Sequence, residues 1–107
     1  MIKYRVSFTP AAKQQLFEIA DFLLINYGNE TCNKVIDSVK EKVDSLSQFP
    51  NRGINPKDNF LQSIEIKYLI CGHYYIFYRV YEKKFMVCVY GIFDGRTDYK
   101  KYFKIIQ

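Results

Sequence analysis

Tyr74-Tyr75-Ile76-Phe77-Tyr78-Arg79-Val80-Tyr81 and Phe85-Met86-Val87-Cys88-Val89-Tyr90-Gly91-Ile92-Phe93, joined by Glu82-Lys83-Lys84, decide the fold of this chain. Apart from Arg79, residues 74–81 are aromatic or aliphatic, and β-branched and aromatic side chains fit a pleated, half-buried surface. The short polar connection makes residues 74–93 a hairpin. Before it, Ile64, Ile66 and Tyr68 alternate with Glu65 and Lys67, and Cys71-Gly72 punctuates, so another strand is expected there.

Upstream the period changes from two to between three and four. Ala12, Leu16, Ile19, Leu23 and Tyr27 recur on one face of a helix. Thr9 can cap its first amides, and Pro10 suits the first helical position, where no amide hydrogen is needed. Gly28 ends this helix. Asn29 is placed to cap a second, whose apolar stripe is Cys32, Val35, Ile36, Val39, Val43 and Leu46, and Pro50 stops it. Two helices so closely joined form an antiparallel hairpin. Ile2–Ser7 reads as a short strand, and Asn51–Asn59 as a polar loop dense in turn residues. The order is β-α-α-β-β-β. The expectation is an α+β fold, the helical hairpin packed on a mainly antiparallel four-stranded sheet. Leu16, Ile19, Leu23, Val35, Val39 and Val43 should pack against Ile64, Ile66, Ile76, Val87 or Val89.

The chain has 107 residues, 49% hydrophobic and 25% charged. That length suits a single domain over residues 1–107 and excludes a large multi-step enzyme. The net charge is +5, and 9 basic against 5 acidic residues fall in 54–107. The natural partners of that half are nucleic acid or acidic protein. Cys32, Cys71 and Cys88 are widely spaced, with no Cys-x-x-Cys pair and a single histidine, so neither a zinc site nor a disulfide framework is expected. They read as reduced thiols. The longest apolar run, Phe22-Leu23-Leu24-Ile25, is too short to span a bilayer. The expected location is the cytoplasm, with no membrane partner.

The catalytic inventory is thin. His73, the only histidine, reads as an edge residue or a general acid/base. Asp94 and Asp98 read as turn formers or as ligands of a metal or basic partner. The richer set is cationic and phenolic: Lys67, Arg79, Arg96, Lys100 and Lys101, interleaved with Tyr74, Tyr75, Tyr78, Tyr99 and Tyr102. Cations bind phosphates and aromatic rings stack on unpaired bases. The same pattern fits tyrosines lining core and sheet faces with their hydroxyls outward, and spacing does not choose. No metal or cofactor is called for.

Tyr4-Arg5-Val6-Ser7-Phe8-Thr9-Pro10-Ala11-Ala12 resembles the opening of the RelE/ParE superfamily of bacterial type II toxins. Ile19-Ala20-Asp21-Phe22 with Tyr27-Gly28, Leu46 through Pro50 and Gly53, Gly72-His73-Tyr74-Tyr75-Ile76-Phe77-Tyr78-Arg79-Val80, and Gly91-Ile92-Phe93-Asp94-Gly95-Arg96-Thr97-Asp98-Tyr99 are similar to its successive elements. The resemblance implies a toxin neutralised by a cognate antitoxin usually encoded beside it, alone as a homo-oligomer or with that antitoxin as a hetero-oligomer. The helical hairpin and central strand look more ParE-like, which implies inhibition of DNA gyrase, growth inhibition and plasmid stabilization. The alternatives are a RelE-like toxin cutting messenger RNA on the ribosome, a metal-independent endoribonuclease, or a non-catalytic antitoxin-binding module. For an RNase the resemblance points to Lys67, Arg79, Arg96 and Tyr99 as catalytic; for either target, Arg79, Arg96, Lys100 and Lys101 are the target-binding set. Many superfamily members carry histidine where this chain has Asp94, which sets it apart from the nuclease pattern.

Overall fold

The computed structural model describes residues 2–96. β1 (Arg5–Phe8) leads into α1 (Pro10–Tyr27) and α2 (Asn29–Asp44). A single 3₁₀ turn follows, then a five-residue helix, α3 (Asn59–Ser63). β2 (Lys67–Cys71), β3 (Tyr74–Tyr81) and β4 (Met86–Asp94) complete the order. The sheet runs β1-β4-β3-β2. It is mixed: β2–β3 and β3–β4 are antiparallel, while β1 lies parallel to β4 with Val6 opposite Val87. The α+β architecture read from the sequence is the one observed.

The helix starts follow from local chemistry. Thr9 Oγ1 accepts the Ala12 amide at 3.1 Å, and Pro10 occupies the first turn. Gly28, at φ 89°, both ends α1 and precedes α2. It takes the capping position assigned to Asn29, which is instead the first residue of α2. A residue with a Cβ strains at that dihedral, so the tight reversal needs glycine.

On one face of the sheet, Ala12, Val39, Val43 and Leu46 pack against Leu69, Ile76, Tyr78, Val87, Val89 and Ile92, with Leu16 and Ile19 at the margin. Leu23 is buried and Val35 half-buried. Ile64 and Ile66 do not join this core. They lie on the opposite face with Leu61, Phe77 and Phe93. The cause is α3, which the turn-rich loop concealed: Asp58 Oδ1 caps the Leu61 amide at 3.0 Å. Glu65 then adopts φ 60° and swings the chain into β2. The alternation that begins at Ile64 therefore reaches the sheet only from Lys67. Similarly, Phe85 is not in β4: it sits at φ 51° at the end of the 82–84 turn.

Tyr78 ties this core to the exit of α2. Its buried hydroxyl accepts the Gly53 amide at 2.9 Å and donates to the Pro50 carbonyl at 2.8 Å. A Cβ on Gly53 would stand 2.4 Å from that hydroxyl oxygen, so the proline-then-glycine spacing has a steric reason. Where β4 outruns β1, a side chain replaces the missing strand: Gln15 Oε1 accepts the Ile92 amide at 2.9 Å. Tyr90 is the extra residue of a bulge, since Tyr78 pairs with Val89 but Phe77 with Gly91.

Candidate functional site

The cationic residues singled out in the sequence fall at two ends of the sheet. Lys67 opens β2 opposite Tyr78, and Arg79 stands next along β3. Arg79 Nη2 is 3.1 Å from Glu65 Oε2, and its guanidinium lies 4.9 Å from the centre of the Tyr81 ring. Its Nε is buried and donates no hydrogen bond among the described residues. Beyond the stack, the hydroxyls of Tyr81 and Tyr90 hydrogen-bond to each other. Burial, and then the Tyr81 hydroxyl, hold the Tyr90 phenol well above its usual range, so it is a neutral donor or acceptor here. Lys67 Nζ donates to Asn55 Oδ1 at 2.8 Å. Asn51, Asn55, Gln62, Glu65, Lys67 and Glu82 line a polar cleft of about 540 Å³ at this end.

The other end is built around the Gly72-His73 turn. The Gly95 amide donates to the His73 carbonyl at 2.8 Å, which fixes the end of β4 against that turn. Asp94 Oδ1 accepts from the Arg96 amide at 2.9 Å and from Arg96 Nε at 3.2 Å. The Arg96 hydrogen bonds pull the Asp94 carboxyl below its usual range. Arg96 itself is 93% exposed. Burial, with Asp94 as a second cause, raises the Tyr74 phenol. Phe22 and Tyr27 of α1 close the far wall of a cleft of about 820 Å³ that also takes in His73, Tyr74, Asp94 and Arg96.

Lys67 and Arg79 thus share one end, while Arg96 joins His73 and Asp94 at the other. Arg79 is five residues along β3 from Tyr74, the partner of Asp94, which is about 17 Å at strand rise. Tyr99, Lys100 and Lys101 lie outside the described residues. The sequence reading missed Glu65, Asn55, Tyr81 and Tyr90 as partners of the cations. Only the Asp94-Gly95-Arg96 turn carried a local signal, the habit of Asp to bond its own backbone two residues on. Among the described residues no three His, Cys, Asp or Glu side chains gather as a metal site. Cys32, Cys71 and Cys88 are free thiols, and among the described residues no helix is long and apolar enough to cross a membrane.

Comparison with known proteins places this geometry. A family model described as the ParE toxin of the type II toxin-antitoxin system, parDE, matches residues 6–99. A search of curated proteins finds no match. Among solved structures, the chromosomal ParDE system of P. aeruginosa is similar at 20% identity and a TM-score of 0.70, covering 86% of this chain and 96% of that one. The RelBE2 toxin-antitoxin complex of Mycobacterium tuberculosis follows at 20% identity and 0.65, covering 88% and 93%. A mutant of the E. coli toxin RelE in the free state gives 15% and 0.66, covering 99% and 100%.

Proposed function

The chain belongs to the ParE toxin family of type II toxin-antitoxin systems, and from that premise we propose that it arrests growth by inhibiting DNA gyrase in the cytoplasm until a cognate antitoxin covers it. The observation that carries gyrase over RNA cleavage is the dispersal of the cations. Cleaving a phosphodiester requires a cation on the developing charge and a proton-transfer group within hydrogen-bond reach of the same atoms. Arg79 and Arg96 are instead at opposite ends of the sheet, each engaged by a carboxylate. Asp94 also stands where the nuclease pattern has histidine. A toxin that works by binding needs an exposed, rigidly held basic surface and no such convergence. Arg96 supplies one cation of it, and Lys100 and Lys101 follow it in sequence.

The test is induced expression without antitoxin, scored for gyrase-linked DNA breaks and filamentation against rapid translation arrest with cleaved transcripts. The parent is expected to give breaks. An Arg96→Ala, Lys100→Ala, Lys101→Ala variant is expected to fold, to lose growth inhibition and still to bind antitoxin. Cleaved transcripts in the parent would move the assignment to a ribosome-dependent nuclease acting on mRNA. No growth effect from the folded parent would leave a non-catalytic antitoxin-binding module.

A further inference from the structure

The helical hairpin leaves one apolar groove open. Phe8, Leu16, Phe17, Ala20 and Ile36 line a depression of about 310 Å³ between α1 and α2, and the two charged residues on its rim are both lysines, Lys13 and Lys40. Phe17 is 68% exposed, and the small side chain of Ala20 keeps the floor low enough to admit a large apolar group. A water-facing apolar groove of this depth marks a contact surface.

The edge of the sheet continues the same surface. β1 is an edge strand. The Arg5 amide donates to the Phe85 carbonyl and the Thr9 amide to the Val89 carbonyl, at 2.9 and 3.0 Å. In a parallel ladder alternate residues turn toward the neighbouring strand, so the backbone groups of Val6 and Phe8 turn the other way, to the open edge. Phe8 belongs to both features: its side chain lines the groove and its backbone ends the edge.

Resting on the toxin-antitoxin reading above, we propose that this groove and edge seat one acidic, amphipathic segment of the antitoxin. Its apolar side chains enter between Phe17 and Ile36, its carboxylates meet Lys13 and Lys40, and the stretch beside Phe8 adds to β1 as a further strand. Charge chooses the occupant. A second copy of this chain, docked by the same patch about a twofold axis, would bring its own Lys13 and Lys40 into this rim and set like charges together. An acidic segment meets opposite charge at both lysines. Strand addition supplies main-chain hydrogen bonds, and the groove supplies side-chain specificity.

The test uses the full chain and the product of the reading frame adjacent to the toxin gene. Lys13→Glu with Lys40→Glu is expected to weaken binding by about tenfold or more, chiefly through faster dissociation. Lys57→Glu with Lys83→Glu makes the same change in net charge on exposed residues elsewhere and is expected to leave affinity nearly unchanged. Ala20→Trp fills the floor and is expected to block binding with the charges intact, its fold checked by thermal melting. Salt should weaken the parent complex only in part, because apolar burial carries most of it. By hydrogen exchange, the Val6 and Phe8 amides should gain protection in the complex. Undiminished affinity in the folded groove variants, equal loss in the control pair, or Val6 and Phe8 amides left unprotected would overturn the assignment. If the adjacent product fails to bind even the parent chain, the toxin-antitoxin reading itself falls, and the groove assignment with it.

Discussion

One face of the sheet lies under helices of 18 and 16 residues, the other under a helix of five. The covered face is closed by aliphatic side chains at helical spacing, and no polar side chain is buried in it except the Tyr78 hydroxyl with its two bonds. The open face mixes Phe77 and Phe93 with the stacked rings of Tyr68 and Tyr75, 5.4 Å apart, and with the Tyr81–Tyr90 pair and Arg79. The difference is one of division of labour. The covered face sets stability, and the open face and the two sheet ends hold the groups that chemistry or recognition would use.

The largest expected effect tests the covered face. Val39 is fully buried in α2, and Val39→Asp places an unpaired carboxylate among hydrocarbon. The expected cost is several kcal/mol, enough to unfold a small domain of ordinary stability. Chemical denaturation decides it, and a variant as stable as the parent would mean that Val39 does not face the sheet. Phe77→Ala probes the opposite face. Phe77 is equally buried, but its cover is α3 and its flanking loop, which can settle into the space left. A loss near 3 kcal/mol, the low end for a buried phenylalanine, is expected, with faster hydrogen exchange confined to residues 59–66. Exchange that quickens throughout α1 and α2 would make the two faces one cooperative unit and abolish the distinction.

Alkali separates the faces by titration. The phenols of Tyr74 and Tyr78 on the covered face and of Tyr90 on the open one are all raised, chiefly by burial. A raised folded-state pKa contributes stability that is whole below the unfolded value of 10.0. That stability is lost as pH climbs through the folded value. Denaturation midpoints should therefore hold steady through neutral pH and fall above about pH 10. Tyr90 should be among the last phenols to ionise in a tyrosinate absorbance titration. Tyr81→Phe removes the hydroxyl that helps raise it, and should bring Tyr90 closer to an ordinary phenol.

The two faces also differ in how far the sequence discloses them. The helix stripe through Leu16, Ile19, Val39 and Val43 and the strands on either side of Glu82-Lys83-Lys84 are local patterns with fixed periods, and the core they build follows from them. The open face depends on pairings between segments distant in sequence. Nothing near Glu65 announces that it takes a left-handed dihedral and meets Arg79, 14 residues on. Nothing near Tyr81 announces Tyr90, because a bulge rather than a simple alternation brings that ring to its face. The parallel pairing of β1 with β4 was hidden for the same reason: it closes over most of the chain. For the candidate site, residue types were legible and placement was not, since type is local and the separation of Arg79 from Arg96 is a property of strand register.

The smallest effect on stability carries the most information about function. Arg79 and Arg96 each bond a carboxylate, yet they differ in setting. The Arg79 side chain is 36% exposed, stacked on Tyr81, and its partner Glu65 holds the corner between α3 and β2. Arg79→Ala should lower stability by about 1 kcal/mol, the sum of a screened ion pair and a cation–π contact. Arg79→Lys keeps the charge but loses the planar stack, so it should recover only part of that. Arg96 bonds Asp94 across a turn in open solvent, and Arg96→Ala should leave the melting temperature unchanged. It should instead return the Asp94 carboxyl, followed by NMR titration, from its depressed value to the ordinary carboxylate range. If the basic end that begins at Arg96 meets the target, growth inhibition should drop in Arg96→Ala at parental stability, while Arg79→Ala should inhibit growth in proportion to the folded protein that remains. The reverse outcome, a stable Arg79→Ala protein without toxicity beside a fully toxic Arg96→Ala protein, would shift the contact with the target to the Lys67 and Arg79 end of the sheet.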